Sequence, residues 1–95
     1  MITIMPRILN KYKDGIPRGS IYIGRPSPFG NPFEIGRDGT REEVIEKFTS
    51  WIYGHPDLMA RVKSELRGKD LVCFCHPRPC HGDVLLKIAN EEDVQ

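Results

Sequence analysis

The sequence predicts a single small α/β domain over residues 1–95, with a short three-stranded, mostly parallel sheet packed with three helices. Three observations predict it. Short apolar runs rich in β-branched residues alternate with segments whose apolar residues recur at a helical period, so both strands and helices are expected. Two of the helical segments lie between two of the strands, and a crossover of that length makes strands of one sheet parallel. The chain is also short: 95 residues, 39% hydrophobic and 8% aromatic, fit one modest core and leave no room for a second domain.

The elements follow in order. Ile2 to Leu9 is apolar and reads as a strand interrupted or edged at Pro6, since proline donates nothing to a sheet. Lys11 to Gly19 carries Asp14-Gly15 and Pro17 and reads as turns. Ser20 to Ile23 is a second short strand, cut off at Gly24. A helix begins at Thr40, whose pairing with Glu43 has the spacing of a capping box, and continues through Val44, Ile45, Phe48, Trp51 and Ile52 to a stop at Gly54 and Pro56. A second helix covers Asp57 to Leu66, with Gly68 just past its end. Leu71 to Cys75 is the third strand, and a last helix starting near His81 buries Val84, Leu85, Ile88 and Ala89. Phe48 and Trp51 are expected in the core. Arranged as parallel strands with helical crossovers, these elements make a Rossmann-like sheet, in which ligands bind beyond the carboxyl ends of the strands.

Composition narrows the function. Fourteen basic against 13 acidic residues, a net charge of +1, excludes a broadly electropositive surface and makes nucleic acid an unfavoured partner. No apolar run approaches the ~18 residues of a membrane span, and Met1 to Arg7 lacks the basic-then-apolar pattern of a signal peptide, so a cytoplasmic location without a membrane partner is expected. Three cysteines, an odd number, do not suit a secreted disulfide scaffold. A homo-oligomer is compatible with so small a core.

Two loops carry the chemistry. Gly24 to Gly39 holds three prolines and four glycines, too many for a helix or a central strand. It is long for a connection in a compact domain, and such loops are often functional. It offers Arg25, Ser27, Asn31 and Arg37 together with the amides of Gly24 and Gly30, while Phe29 and Phe33 suit either packing or stacking on a base, and Phe29, Phe33 and Ile35 are expected to pin the loop. Neither a Walker loop nor a dinucleotide fingerprint is present. The second loop is Cys75-His76-Pro77-Arg78-Pro79-Cys80-His81-Gly82-Asp83. It ends at a helix start, where amides and dipole favour an anion and would lower the pKa of the Cys80 thiol. Arg78 and His76 add donors. Because each loop follows a parallel strand, both leave the same edge of the sheet.

The cysteine cluster admits several readings. Cys73, within a strand, is expected to be a core residue. Cys75, Cys80 and His81 form the conceivable zinc set, with His76 or Cys73 as a fourth ligand, but their spacing is not that of a zinc knuckle and no metal is favoured. A thiol or ligand-contact role for Cys75 and Cys80 suits the helix start better. A Cys75–Cys80 disulfide is unexpected in a reducing compartment.

The segments Ile21 to Phe33, Gly36 to Val44 and Leu66 to Leu85 resemble domain of unknown function 4326, a family of small bacterial and bacteriophage domains, and the likeness runs over about residues 8 to 90. The resemblance implies a signature at Gly24, Arg25, Gly30, Asn31, Pro32, Phe33, Cys75, Cys80, His81 and Asp83, from which His76 departs. The Cys80-His81 helix start also resembles, more faintly, domain of unknown function 488.

The expectation that follows is a domain that holds a small anionic, nucleotide-type ligand, such as a nucleotide or an ADP-ribose-like derivative, between residues 24–39 and 75–83. The occurrence of the family in phages suggests sequestration of a host immune signalling nucleotide in the host cytoplasm. The binding residues expected are Gly24, Arg25, Ser27, Gly30, Asn31, Phe33, Arg37, Cys75, Arg78, Cys80 and His81. The alternatives are an enzyme acting on a nucleoside or nucleotide through Cys80, His81 and Asp83, and a zinc-stabilised interaction module.

Overall fold

In the computed structural model, which describes residues 6–75 and 78–91, three parallel strands form one sheet in the order β1-β3-β2. The strands are β1 (Ile8–Asn10), β2 (Ile21–Tyr22) and β3 (Leu71–Cys73). The helices are α1 (Lys11–Asp14), α2 (Arg41–Tyr53), α3 (Pro56–Arg61), continued by a π-helical turn at Val62–Leu66, and α4 (His81–Asn90). The expected α/β class and parallel sheet are therefore present, with four helices in place of three.

The central strand β3 is the most apolar and is buried throughout, as a strand covered on both faces must be. Its register sets Leu71 between Ile8 and Ile21, and Val72 between Leu9 and Tyr22. β1 lies beyond Pro6 and extends to Asn10, later than expected; residues 2–5 of the expected strand lie outside the described residues. The last strand stops at Cys73 rather than Cys75.

α1 departs from the turns read at Lys11 to Gly19. It is a single helical turn. Asn10, the last residue of β1, caps it: its Oδ1 accepts from the Tyr12 and Lys13 amides at 2.8 and 3.1 Å. Asp14 closes the turn by accepting from the Asn10 amide at 2.9 Å. Gly15 then reverses the chain at φ 67°, which only glycine adopts without strain.

α2 begins as expected. Glu43 N–H donates to the Thr40 hydroxyl, and the Glu43 carboxylate accepts from Thr40 N–H at 2.9 Å, so both halves of the capping box form. The core lies between sheet and helices, built from Phe48 and Ile52 of α2, Val62 and Leu66, Leu85 and Ile88 of α4, and Ile23 and Leu71 of the sheet region. α4 packs on β1, β3 and the Val62–Leu66 turn, and α2 packs on α3 and α4. Trp51 is only half-buried, unlike Phe48 beside it. Among the described residues no helix is long and apolar enough to cross a membrane.

Candidate functional site: a pocket at the carboxyl edge of the sheet

Parallel pairing places the carboxyl ends of β2 and β3 on one edge, so the chain leaves the sheet side by side after Tyr22 and after Cys73. The N-termini of α2 and α4 reach the same edge. Between them lies a pocket of about 370 Å³. The Gly24–Gly39 loop gives it Gly24, Arg25, Asn31, Phe33, Glu34 and Ile35, and α2 adds Arg41, Val44 and Ile45. The opposite wall is Cys73, Phe74, Cys75, Pro79, Cys80 and His81.

The first loop is shaped by its own hydrogen bonds. Ser27 N–H donates to the Gly24 carbonyl at 2.8 Å and Gly30 N–H to the Ser27 carbonyl at 3.0 Å, giving two successive turns. Asn31 accepts from Phe33 N–H at 2.9 Å and donates to the Val44 carbonyl at 3.3 Å, which fastens the loop to α2. Phe29 is buried in the core, so it is an anchor and not a stacking surface. Ile35 was expected to pin the loop but is 53% exposed at the pocket rim. Gly30 is required sterically: a Cβ there would come within 2.9 Å of Arg25 Cγ and 3.2 Å of its backbone.

The arginines separate into distinct roles. Arg25 lines the pocket and pairs with Glu34 at 2.8 Å. Arg37 does not line it. Its guanidinium is spent on Glu34 at 2.9 Å, Asp38 at 2.8 Å and the Pro32 carbonyl at 3.1 Å, and these carboxylates hold its charge more firmly than usual, the Asp38 hydrogen bond above all. Arg78 is exposed and lies outside the lining, as do Ser27 and Gly30. Sequence reasoning missed Arg41, Glu34 and Phe74. Arg41 ties the start of α2 to the second loop by donating to the Pro79 carbonyl at 3.1 Å. A cation in the first turn of a helix opposes the helix dipole. That unfavourable placement is the signal by which the sequence could have marked Arg41.

At the start of α4, His81 is buried. Its Nε2–H donates to the Ile23 carbonyl at 2.9 Å, and its ring packs edge-to-face with that of Phe48, the centroids 5.2 Å apart. Burial pushes its pKa down, so the ring is neutral, although the Ile23 and Phe29 carbonyls partly oppose the shift. The Asp83 carboxylate accepts from Cys80 N–H at 3.2 Å, which makes it a helix cap and not the orienter of His81.

Cys80 corrects a further expectation. The helix start was expected to acidify its thiol. Instead its Sγ lies 3.3 Å from Cys73 Sγ, and the hydrogen bond with Cys73, followed by burial, drives its pKa up. Gly82 N–H does donate to Cys80 Sγ at 3.3 Å and lowers the pKa, but by less. Cys73 is buried as expected, yet it also lines the pocket. Cys75 is half-buried on the pocket wall. Among the described residues, no three of His, Cys, Asp and Glu converge to hold a metal ion; His76, named as a fourth ligand, and Pro77 lie outside the described residues.

A shallower depression lies nearby, lined by Phe33, Glu43, Glu46, Lys47, Ser50 and Trp51. It carries more carboxylate than cationic charge.

The molecule is thus a small parallel α/β domain with a pocket at its strand-end edge. The chain belongs to the family described as domain of unknown function 4326, whose model matches residues 8–91. It is also similar to the "Uncharacterized 12.4 kDa protein in nrdA-td intergenic region" of Enterobacteria phage T4, at 37% identity over 94 residues, covering 88% of this chain and 77% of the phage protein. No solved structure matches the chain.

Proposed function

We propose that the pocket binds a small anionic ligand of nucleotide type and that the domain holds this ligand without transforming it. The observation that carries the reading is the placement of Arg25 and Arg41 in one pocket with Asn31 and the aromatic rings of Phe33 and Phe74. Arginine forks match phosphate oxygens, and the rings suit a base. The volume is within the lower range for small-molecule sites. Arg25 is paired with Glu34 at a largely solvated position, where an ion pair is worth about 0–1 kcal/mol, so a phosphate can take the place of Glu34 at little cost. Arg41 has no carboxylate partner among the described residues.

Holding rather than turnover is supported by the groups an enzyme would need. Cys80 keeps its proton and faces Cys73, His81 Nε2–H is committed to the Ile23 carbonyl, and Asp83 caps α4. No nucleophile–base–orienter set is assembled from them. The finer reading, in which such a domain sequesters a host signalling nucleotide during infection, rests on the phage origin of the T4 relative alone.

Calorimetry with nucleoside mono- and diphosphates and ADP-ribose derivatives tests the proposal. The expected result is one-to-one binding at a Kd of about 1 mM or tighter, weakened about tenfold to a hundredfold in Arg41→Ala and in Arg25→Ala. Recovery of unchanged ligand is expected. No heat across the panel would overturn the binding reading, and conversion of the ligand would overturn sequestration. Stoichiometric zinc in fresh protein would instead favour the metal-stabilised module.

A further inference from the structure

The Cys73–Cys80 pair has no part in ligand recognition as proposed above. The two thiols belong to different elements: Cys73 ends the central strand, and Cys80 caps α4. Their sulfurs lie 3.3 Å apart, and although Cys73 and Cys80 are only 1% and 4% exposed, both residues belong to the pocket wall, which gives a small oxidant its route to the pair. Cys75, the third cysteine, is on the same wall but does not share this contact.

We propose that Cys73 and Cys80 form an oxidisable dithiol, a modification site in the pocket wall that hydrogen peroxide converts to a disulfide. The sulfurs must close from 3.3 Å to a bond length of about 2.05 Å, a movement of about 1.2 Å. The chemistry balances in two steps. One sulfur takes an oxygen from peroxide and becomes a sulfenic acid, with release of one water. The second thiol attacks that sulfur and expels the other water, so both thiol hydrogens leave in water and the S–S bond forms. Thiol reductant reverses it. The bond ties the end of β3 to the first turn of α4 and replaces the thiol hydrogen bond with a covalent wall. This chemistry does not depend on which ligand the pocket binds.

The test is peroxide treatment of the folded full-length protein, followed by alkylation and intact mass measurement without reductant. The expected product has lost about 2 Da and takes up one alkyl group instead of three. Dithiothreitol restores all three sites. Cys75→Ser retains the loss, whereas Cys73→Ser and Cys80→Ser each abolish it. Cleavage after the exposed Phe74 separates Cys73 from the other two cysteines, and locating the one alkyl group on Cys75 in the linked fragments maps the cross-link in wild-type protein even where a variant folds poorly. A cross-link that includes Cys75, its loss in Cys75→Ser, or oxygen adducts without a disulfide would overturn the proposal.

Discussion

Burial keeps His81 neutral, and the consequence is a pH-dependent stability that can be assigned to one ring. Its folded pKa lies below the ordinary 6.5 of the exposed group, so the unfolded chain takes up the proton first as pH falls. The stabilising contribution is complete above about pH 6.5 and is lost as pH drops toward the folded pKa. Urea midpoints of the wild type should therefore fall between about pH 7.5 and about pH 5.5, and the fall should be smaller in His81→Gln. His81→Leu removes the donor to the Ile23 carbonyl and should cost about 1–3 kcal/mol at neutral pH. Other residues show where reading from sequence stops. Gly82 N–H at the start of α4 does lower the Cys80 thiol pKa, but the balance is decided by Cys73, seven positions away and reached only through the fold. Arg37 was legible and misread: Asp38, its neighbour in sequence, neutralises it.

At the scale of elements, what is local was legible. The Thr40–Glu43 capping box and the α2 periodicity depend on residues within two turns of each other, and both form. Thr40→Ala removes the hydroxyl that accepts from Glu43 N–H and should cost about 1 kcal/mol, measured by urea unfolding. α1 was hidden because one turn carries no hydrophobic period: Lys11 to Asp14 contributes no buried residue, and the turn exists because Asn10 and Asp14 close it. The end of β3 was placed late because Phe74 and Cys75 look like strand residues. Phe74 instead leaves the ladder, 45% exposed, and enters the pocket wall.

For the molecule as a whole, topology was the most informative inference. Two helices between strands required parallel pairing, and parallel pairing required the two unusual loops to share an edge. Of the candidate binding residues, Gly24, Arg25, Asn31, Phe33, Cys75, Cys80 and His81 line the pocket there, while Ser27, Gly30, Arg37 and Arg78 stand outside its lining. The loops could be paired from sequence, but not which side chains turn inward, because that depends on turns internal to residues 24–39 and on the approach of α2. Arg41 enters the pocket for that second reason.

The central claim, that this pocket receives the ligand, is tested most directly by following backbone amide chemical shifts while a nucleoside diphosphate or ADP-ribose is titrated into labelled protein. Saturable shifts are expected at Gly24, Arg25, Asn31, Arg41, Phe74 and Cys75, with about tenfold to a hundredfold more ligand needed for the same shifts in Arg41→Ala. Shifts confined to the depression around Glu46 and Trp51, or none at any concentration, would contradict it.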